Sequence, residues 1–170
     1  NELQVSLGFS HLAVVAHSMG GLLARDLVNR NVAQSGRSTV VGLVTLSTPW
    51  GGHAAAQRAA AAPISVPAWE DMAPDGVYIQ SLLANPLPNH VPFDLLFGHE
   101  GSSLFISGNS DGTIALSSLL APRAQAQARQ IRAFTENHVS ILTSPEVATT
   151  LNQILVRMAA ESGFPAIPAP

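Results

Sequence analysis

Ser18 stands in Ala16-His-Ser-Met-Gly20, between the apolar run His11-Leu-Ala-Val-Val-Ala16 and a helix-patterned stretch that opens at Met19. A serine hydroxyl is a poor nucleophile at neutral pH; it needs a base within hydrogen-bond reach and a fixed, exposed position. A sharp strand-to-helix turn supplies the position and draws the two backbones together. Such a turn admits only small residues two places before and two after the serine, here Ala16 and Gly20, and Gly21 lets the helix approach a sheet closely. The helix N-terminus aims free backbone N–H groups at any oxyanion that forms, that of Met19 first. Two further residues complete the chemistry. Asp111 lies in Asn109-Ser-Asp-Gly112, and His138 ends Thr135-Glu-Asn-His138. A nucleophile, a carboxylate and an imidazole are the parts of acyl transfer through a covalent intermediate.

These residues need a frame that gathers them. His11–Ala16 reads as a short buried strand, followed by a helix from Met19 to about Gln34. In that helix Leu22, Leu23, Leu27 and Val28 form the expected apolar stripe, with Arg25, Asp26, Asn29 and Arg30 on the wetter side. Val40–Leu46 reads as a second buried strand that ends in Ser47-Thr-Pro-Trp-Gly-Gly52, and an Ala-rich helix is expected over His53–Ala62. Residues 63–100 hold six prolines together with Trp69, Met72, Phe93 and Phe97, and only Tyr78–Asn85 reads there as a short helix. This stretch is expected to be a lid-like insertion. Ser102–Ser107 reads as a third strand and Gln130–Phe134 as a fourth. A final helix is capped by Thr143 or Ser144, with Pro145 in its first turn and Glu146 placed for a capping box. Val147, Leu151, Ile154, Leu155 and Met158 fall on one of its faces.

Strands alternating with helices predict an α/β fold, a parallel sheet of about four strands with helices on both faces. Function in such sheets sits at the carboxyl ends of the strands. Ser18, Asp111 and His138 each follow a strand, so the topology carries all three to one edge. Asp71, Asp75 and Asp94 are the rival acids, but they lie in the excursion. Trp50 and Trp69 are the candidate substrate-binding residues, Trp50 as a lining for an acyl pocket.

Composition narrows the function. The 170 residues suffice for one domain with a real core. Net charge is −3, the eight basic residues are all arginine, and no basic run exists, so nucleic-acid binding has no electrostatic support. No cysteine is present, which removes disulfides and thiolate metal sites. His11, His53, His90 and His99 lack metal-ligand spacing, and no metal or other cofactor is expected. No apolar stretch reaches the roughly 18 residues that span a bilayer. The arginine-only basic set and the alanine richness fit a bacterial gene of high GC content.

Ala16-His-Ser-Met-Gly20 resembles the nucleophile elbow of the α/β-hydrolase fold, G-x-S-x-G, with alanine for the first glycine. The segment T-L-S-T-P-W-G-G is similar to the T-x-G-T-P-H-x-G stretch of many lipases, and S-D-G-T-I and E-N-H-V-S-I-L are similar to their acid and histidine segments. The resemblance runs from His11 to about Leu155 and points to a lipase-like or esterase-like branch, related to the PGAP1-like and triacylglycerol lipase groups. The order Ser, Asp, His is the order of that fold. The resemblance implies Ser18 as nucleophile, His138 as base, Asp111 as the acid that orients it, and the Met19 N–H as half of an oxyanion hole. It implies a partial hydrolase domain over residues 1–162, with the insertion at about 63–100 and a frayed tail at 163–170. About ten residues precede the first strand and none forms an oxyanion segment, so the expectation is the C-terminal part of a longer hydrolase whose residues 12–16 lie at an open sheet edge. The implied substrate is a small-molecule or lipid ester with an apolar acyl group, met at a lipid surface. The same triad serves acyl transfer or thioester hydrolysis, and a catalytically silent binding module is the reading from a different class.

Overall fold

Val40-Val-Gly-Leu-Val-Thr-Leu46 is too apolar to face water on either side, and it becomes strand β2 (Val40–Leu46), buried almost end to end. In the computed structural model, which describes residues 6, 8–35, 39–53, 71–74, 76–101 and 109–163, β2 lies inside a four-stranded sheet. Its neighbours are β1 (Leu12–His17) and β3 (Phe93–Gly98), and β4 (Gln130–Phe134) flanks β3. All three pairings are parallel, in the order β1-β2-β3-β4. Parallel neighbours need long crossovers. Helix α1 (Gly20–Ser35) and helix α2 (Val77–Ala84) lie in the first two, and the short helices α3 (Leu116–Leu119) and α4 (Pro122–Gln125) in the third. Helix α5 (Pro145–Glu161) closes the described chain.

The alternation of side chains along β3 separates two cores. Phe93, Leu95 and Phe97 join Leu22, Val28, Trp50, Ile79 and Leu82 on the α1 and α2 side. Leu96 joins Val44, Leu46, Phe134, Ile154 and Met158 on the α5 side. The sheet is thus covered on both faces, as the alternation of elements requires. Strand β1 is an edge among the described residues, with Val15 exposed, which matches the expected open edge.

Three expectations need correction. The third strand is Phe93–Gly98, inside the stretch read as a lid-like insertion, and every one of its residues is buried. Asp94 hides it in the sequence. That carboxylate is fully buried and is held by Arg129 at 3.0 Å and Arg157 at 2.8 Å, so its charge is neutralised within the fold. The strand expected at 102–107 and the helix over residues 54–62 lie outside the described residues. The second correction concerns α1. Leu23 and Leu27 are exposed, whereas Arg25 has no exposure at all, so the buried face runs through Leu22, Arg25 and Val28. The third concerns the cap of α5. Ser144 takes the N-cap and accepts from the Val147 N–H, which puts Glu146 one position too early to reach back.

Candidate active site

The turn after β1 is sharp because Ser18 adopts a left-handed backbone, φ 54°, which a residue with a side chain rarely takes. The Ser18 N–H donates to the Leu46 carbonyl at 2.9 Å, and the Ser18 carbonyl accepts from Gly21 N–H at 3.0 Å, so the corner is tied to both β2 and α1. A Cβ on Gly20 would just touch Ala16 at 4.0 Å, whereas one on Gly21 would lie 2.0 Å from the Thr48 hydroxyl. Gly21 is therefore where α1 packs tightly against the loop that follows β2. Strained backbone held by close packing fixes the half-buried Ser18 side chain in one place.

The loop after β4 delivers His138. Asn137 shapes it: its Oδ1 accepts from Val139 N–H at 2.9 Å and Ser140 N–H at 2.8 Å. The His138 N–H donates to the Asp111 carbonyl at 2.7 Å. Its Nδ1–H donates to Asp111 Oδ2 at 2.7 Å, and its Nε2 lies 3.0 Å from Ser18 Oγ. The structure thus brings together Ser18, His138 and Asp111 in one unbroken hydrogen-bonded chain. Asp111 is fully buried, and its Oδ1 accepts from Thr113 N–H at 3.0 Å and Ile114 N–H at 2.7 Å. Gly101 backs this turn so closely that a Cβ there would lie 2.2 Å from the Gly112 nitrogen. Such an arrangement can accept the serine proton at Nε2 while the carboxylate stabilises the imidazolium that results.

The other candidates are not part of this cluster. Trp50 is fully buried, edge-on to Phe93 at 5.3 Å and beneath the Arg25 guanidinium, so it is a core residue rather than a pocket lining. Trp69 and Asp75 lie outside the described residues. Asp71 is exposed, and Asp94 is engaged by its two arginines. Met19 follows Ser18 directly, with its backbone N–H at the mouth of α1. Sequence reasoning passed over two residues of the site, Asn137 and His17. His17 Nε2–H donates to the His138 carbonyl at 2.8 Å. The signal for both was adjacency, since each precedes a residue already singled out.

Burial would raise the Asp111 pKa, but hydrogen bonds from His138, Ile114 and Thr113 more than offset it and hold the carboxyl below its usual range. Burial lowers the pKa of His17, and the nearby His138 adds to this, against opposing contributions from the His138 carbonyl and Asp111. Both folded values are depressed, so the unfolded chain binds protons first and stability falls with pH. The His17 contribution is full above 6.5, its unfolded value, and is lost as pH falls from there through the folded one. The Asp111 contribution is lost only below 3.8. Thermal unfolding at pH 7.5 and pH 5 should therefore show a drop in Tm that is smaller in His17→Gln. An equal drop in both proteins would contradict this assignment.

No protein-family model matches the sequence, and no curated protein matches it significantly. Solved structures do. An alpha-beta hydrolase from Vibrio vulnificus superposes with a TM-score of 0.51 at 19% identity, over 95% of this chain and 52% of that one. The fold is that of the α/β-hydrolases. The Bacillus licheniformis lipase BlEst2 in its mature form gives a TM-score of 0.61 at 16% identity, covering 92% of this chain and 69% of that one. The lin2722 gene product of Listeria innocua gives 0.61 at 17% identity, over 91% of this chain and 61% of that one. This chain thus spans about three fifths of the length of that Listeria protein.

Proposed function

We propose that this chain carries the reaction centre of a carboxylic ester hydrolase that acts on lipid or other apolar acyl esters. The observation that carries the reading is the chain Ser18 Oγ, His138 Nε2, His138 Nδ1, Asp111 Oδ2, with links of 3.0 Å and 2.7 Å. Ser18 Oγ attacks the ester carbonyl carbon as its proton passes to His138 Nε2. The Met19 N–H receives the oxyanion at the positive end of α1. The tetrahedral intermediate collapses, the ester C–O bond breaks, and His138 returns the proton to the departing alcohol. Water then attacks the acyl group with His138 as base. The acid leaves and Ser18 regains its proton. These steps use side chains and backbone alone. The likeness to a lipase and the low charge of the chain support an apolar acyl group.

The test is covalent labelling of the full-length protein with a fluorophosphonate probe, followed by a chain-length series of p-nitrophenyl esters. Labelling is expected in the wild type and is expected to vanish in Ser18→Ala and His138→Ala. A folded wild-type protein that stays unlabelled would sink the hydrolase reading in favour of a silent module. A sharp preference for acetate over octanoate would remove the lipid part alone.

A further inference from the structure

We infer that His17 is a positioning residue for His138, acting through the hydrogen bond its ring donates to the His138 backbone carbonyl. The inference rests on the hydrolase reading. His17 ends β1 and immediately precedes Ser18. Its Nε2 lies 2.8 Å from the His138 carbonyl oxygen, and the two imidazole rings are 4.7 Å apart, tilted by 47°. A carbonyl can only accept, so Nε2 carries a hydrogen whether His17 is neutral or charged. His138 and Asp111 are the titratable groups acting on His17. The ring is partly buried beside them, and the neutral Nε2–H tautomer is enough to make the bond.

The arrangement has a consequence for the second half of the reaction. Among the described residues, four hydrogen bonds hold His138: two to Asp111, one to Ser18 Oγ and one from His17. In the acyl-enzyme Ser18 Oγ is an ester oxygen without a proton, so the Ser18–His138 bond in its resting form is gone. Both bonds to Asp111 tie His138 to a different loop. The bond from His17 is then what registers His138 against the elbow that holds the acyl group. Water must be deprotonated by His138 at that stage, and an ångström of misplacement costs about a hundredfold in such a geometry. Packing alone would predict that any side chain of similar size at position 17 serves as well.

The experiment compares wild type, His17→Leu and His17→Gln in the full-length protein. Leucine fills the space without a donor, and the glutamine amide can reach the carbonyl with an N–H that does not titrate. Each is assayed by fluorophosphonate labelling and by pre-steady-state hydrolysis of a p-nitrophenyl ester. His17→Leu should lower kcat and KM together by roughly 10- to 100-fold, with kcat/KM little changed, and should leave acyl-enzyme accumulating after the burst. His17→Gln should restore kcat to within about threefold of wild type. A leucine variant at the wild-type rate overturns the inference. So does a glutamine variant that melts like wild type and is still slow, and this arm decides the matter if the leucine variant does not fold. An unlabelled wild type overturns the hydrolase reading and this inference with it. A labelled wild type beside an unimpaired leucine variant overturns this inference alone.

Discussion

Asp111→Asn should lower kcat about ten-thousandfold while the fold stays intact, the loss expected when the acid of such a triad becomes an amide. The geometry gives the reason. Asp111 uses one oxygen, Oδ1, to accept from the N–H groups of Thr113 and Ile114, and the other, Oδ2, to accept from His138 Nδ1–H. Asparagine has one oxygen and one NH2. The two backbone donors require the oxygen on their side, so the NH2 must face His138 Nδ1. An amide donor there can be met only by an unprotonated Nδ1, which moves the ring hydrogen to Nε2. His138 would then present a donor to Ser18 Oγ and could not take its proton. The carboxylate that stabilises the imidazolium would be gone as well. Because the two backbone bonds survive, the turn that holds residue 111 should persist and Tm should change little. The measurement is kcat on a p-nitrophenyl ester together with the rate of fluorophosphonate labelling. A variant within tenfold of wild type in both would show that the buried aspartate is structural.

That prediction could be framed from the sequence because the candidate site was legible there, and for a physical reason. A serine at a strand-to-helix corner constrains its neighbours sterically, so Ala16, Gly20 and Gly21 mark it. The elements that place Ser18 and His138 were legible too. β2 and β4 have the bounds read from their apolar runs, and α1 begins one residue after the expected Met19. What escaped was whatever depends on long-range pairing of charges. β3 was missed because Asp94 interrupts its apolar run and prolines surround it. Only the fold brings Arg129 and Arg157 to that carboxylate, from residues 35 and 63 positions later in the chain. The same blindness misplaced the buried face of α1. Helical periodicity assigns an arginine to water, and nothing local reveals that Leu23 and Leu27 are exposed while Arg25 is not. His17 was passed over because its partner lies 121 residues away.

Arg25→Ala should therefore be among the most damaging changes outside the site. The guanidinium is fully buried and meets no carboxylate among the described residues. Its Nε donates to the Leu82 carbonyl at 3.1 Å, and its Nη2 to the Asn85 carbonyl at 2.8 Å and Gln127 Oε1 at 2.7 Å. Burial lowers its pKa to about 10, which leaves it charged at neutral pH. Leu82 and Asn85 belong to the last turn and C-cap of α2, a helix with no basic residue of its own in that turn. Arg25 thus supplies, from α1, the positive charge that the carbonyl end of α2 favours. Its guanidinium also lies 5.7 Å from the centre of the Trp50 ring. Alanine removes all of these interactions, strands the buried Leu82 carbonyl and opens a cavity. Together these losses come to about 4 kcal/mol. At roughly 2–4 °C per kcal/mol for a chain of this size, Tm should fall by about 8–16 °C. Arg25→Met, which keeps most of the volume but no donor, should recover only the cavity part. Lysine should recover little, because one ammonium cannot reproduce the spread of a guanidinium fork. Denaturant titration of the three variants checks the order, and amide exchange over residues 77–84 checks the cause. A loss below about 1 kcal/mol in Arg25→Ala would mean that the hydrogen bonds of this arginine are offset by the cost of burying its charge.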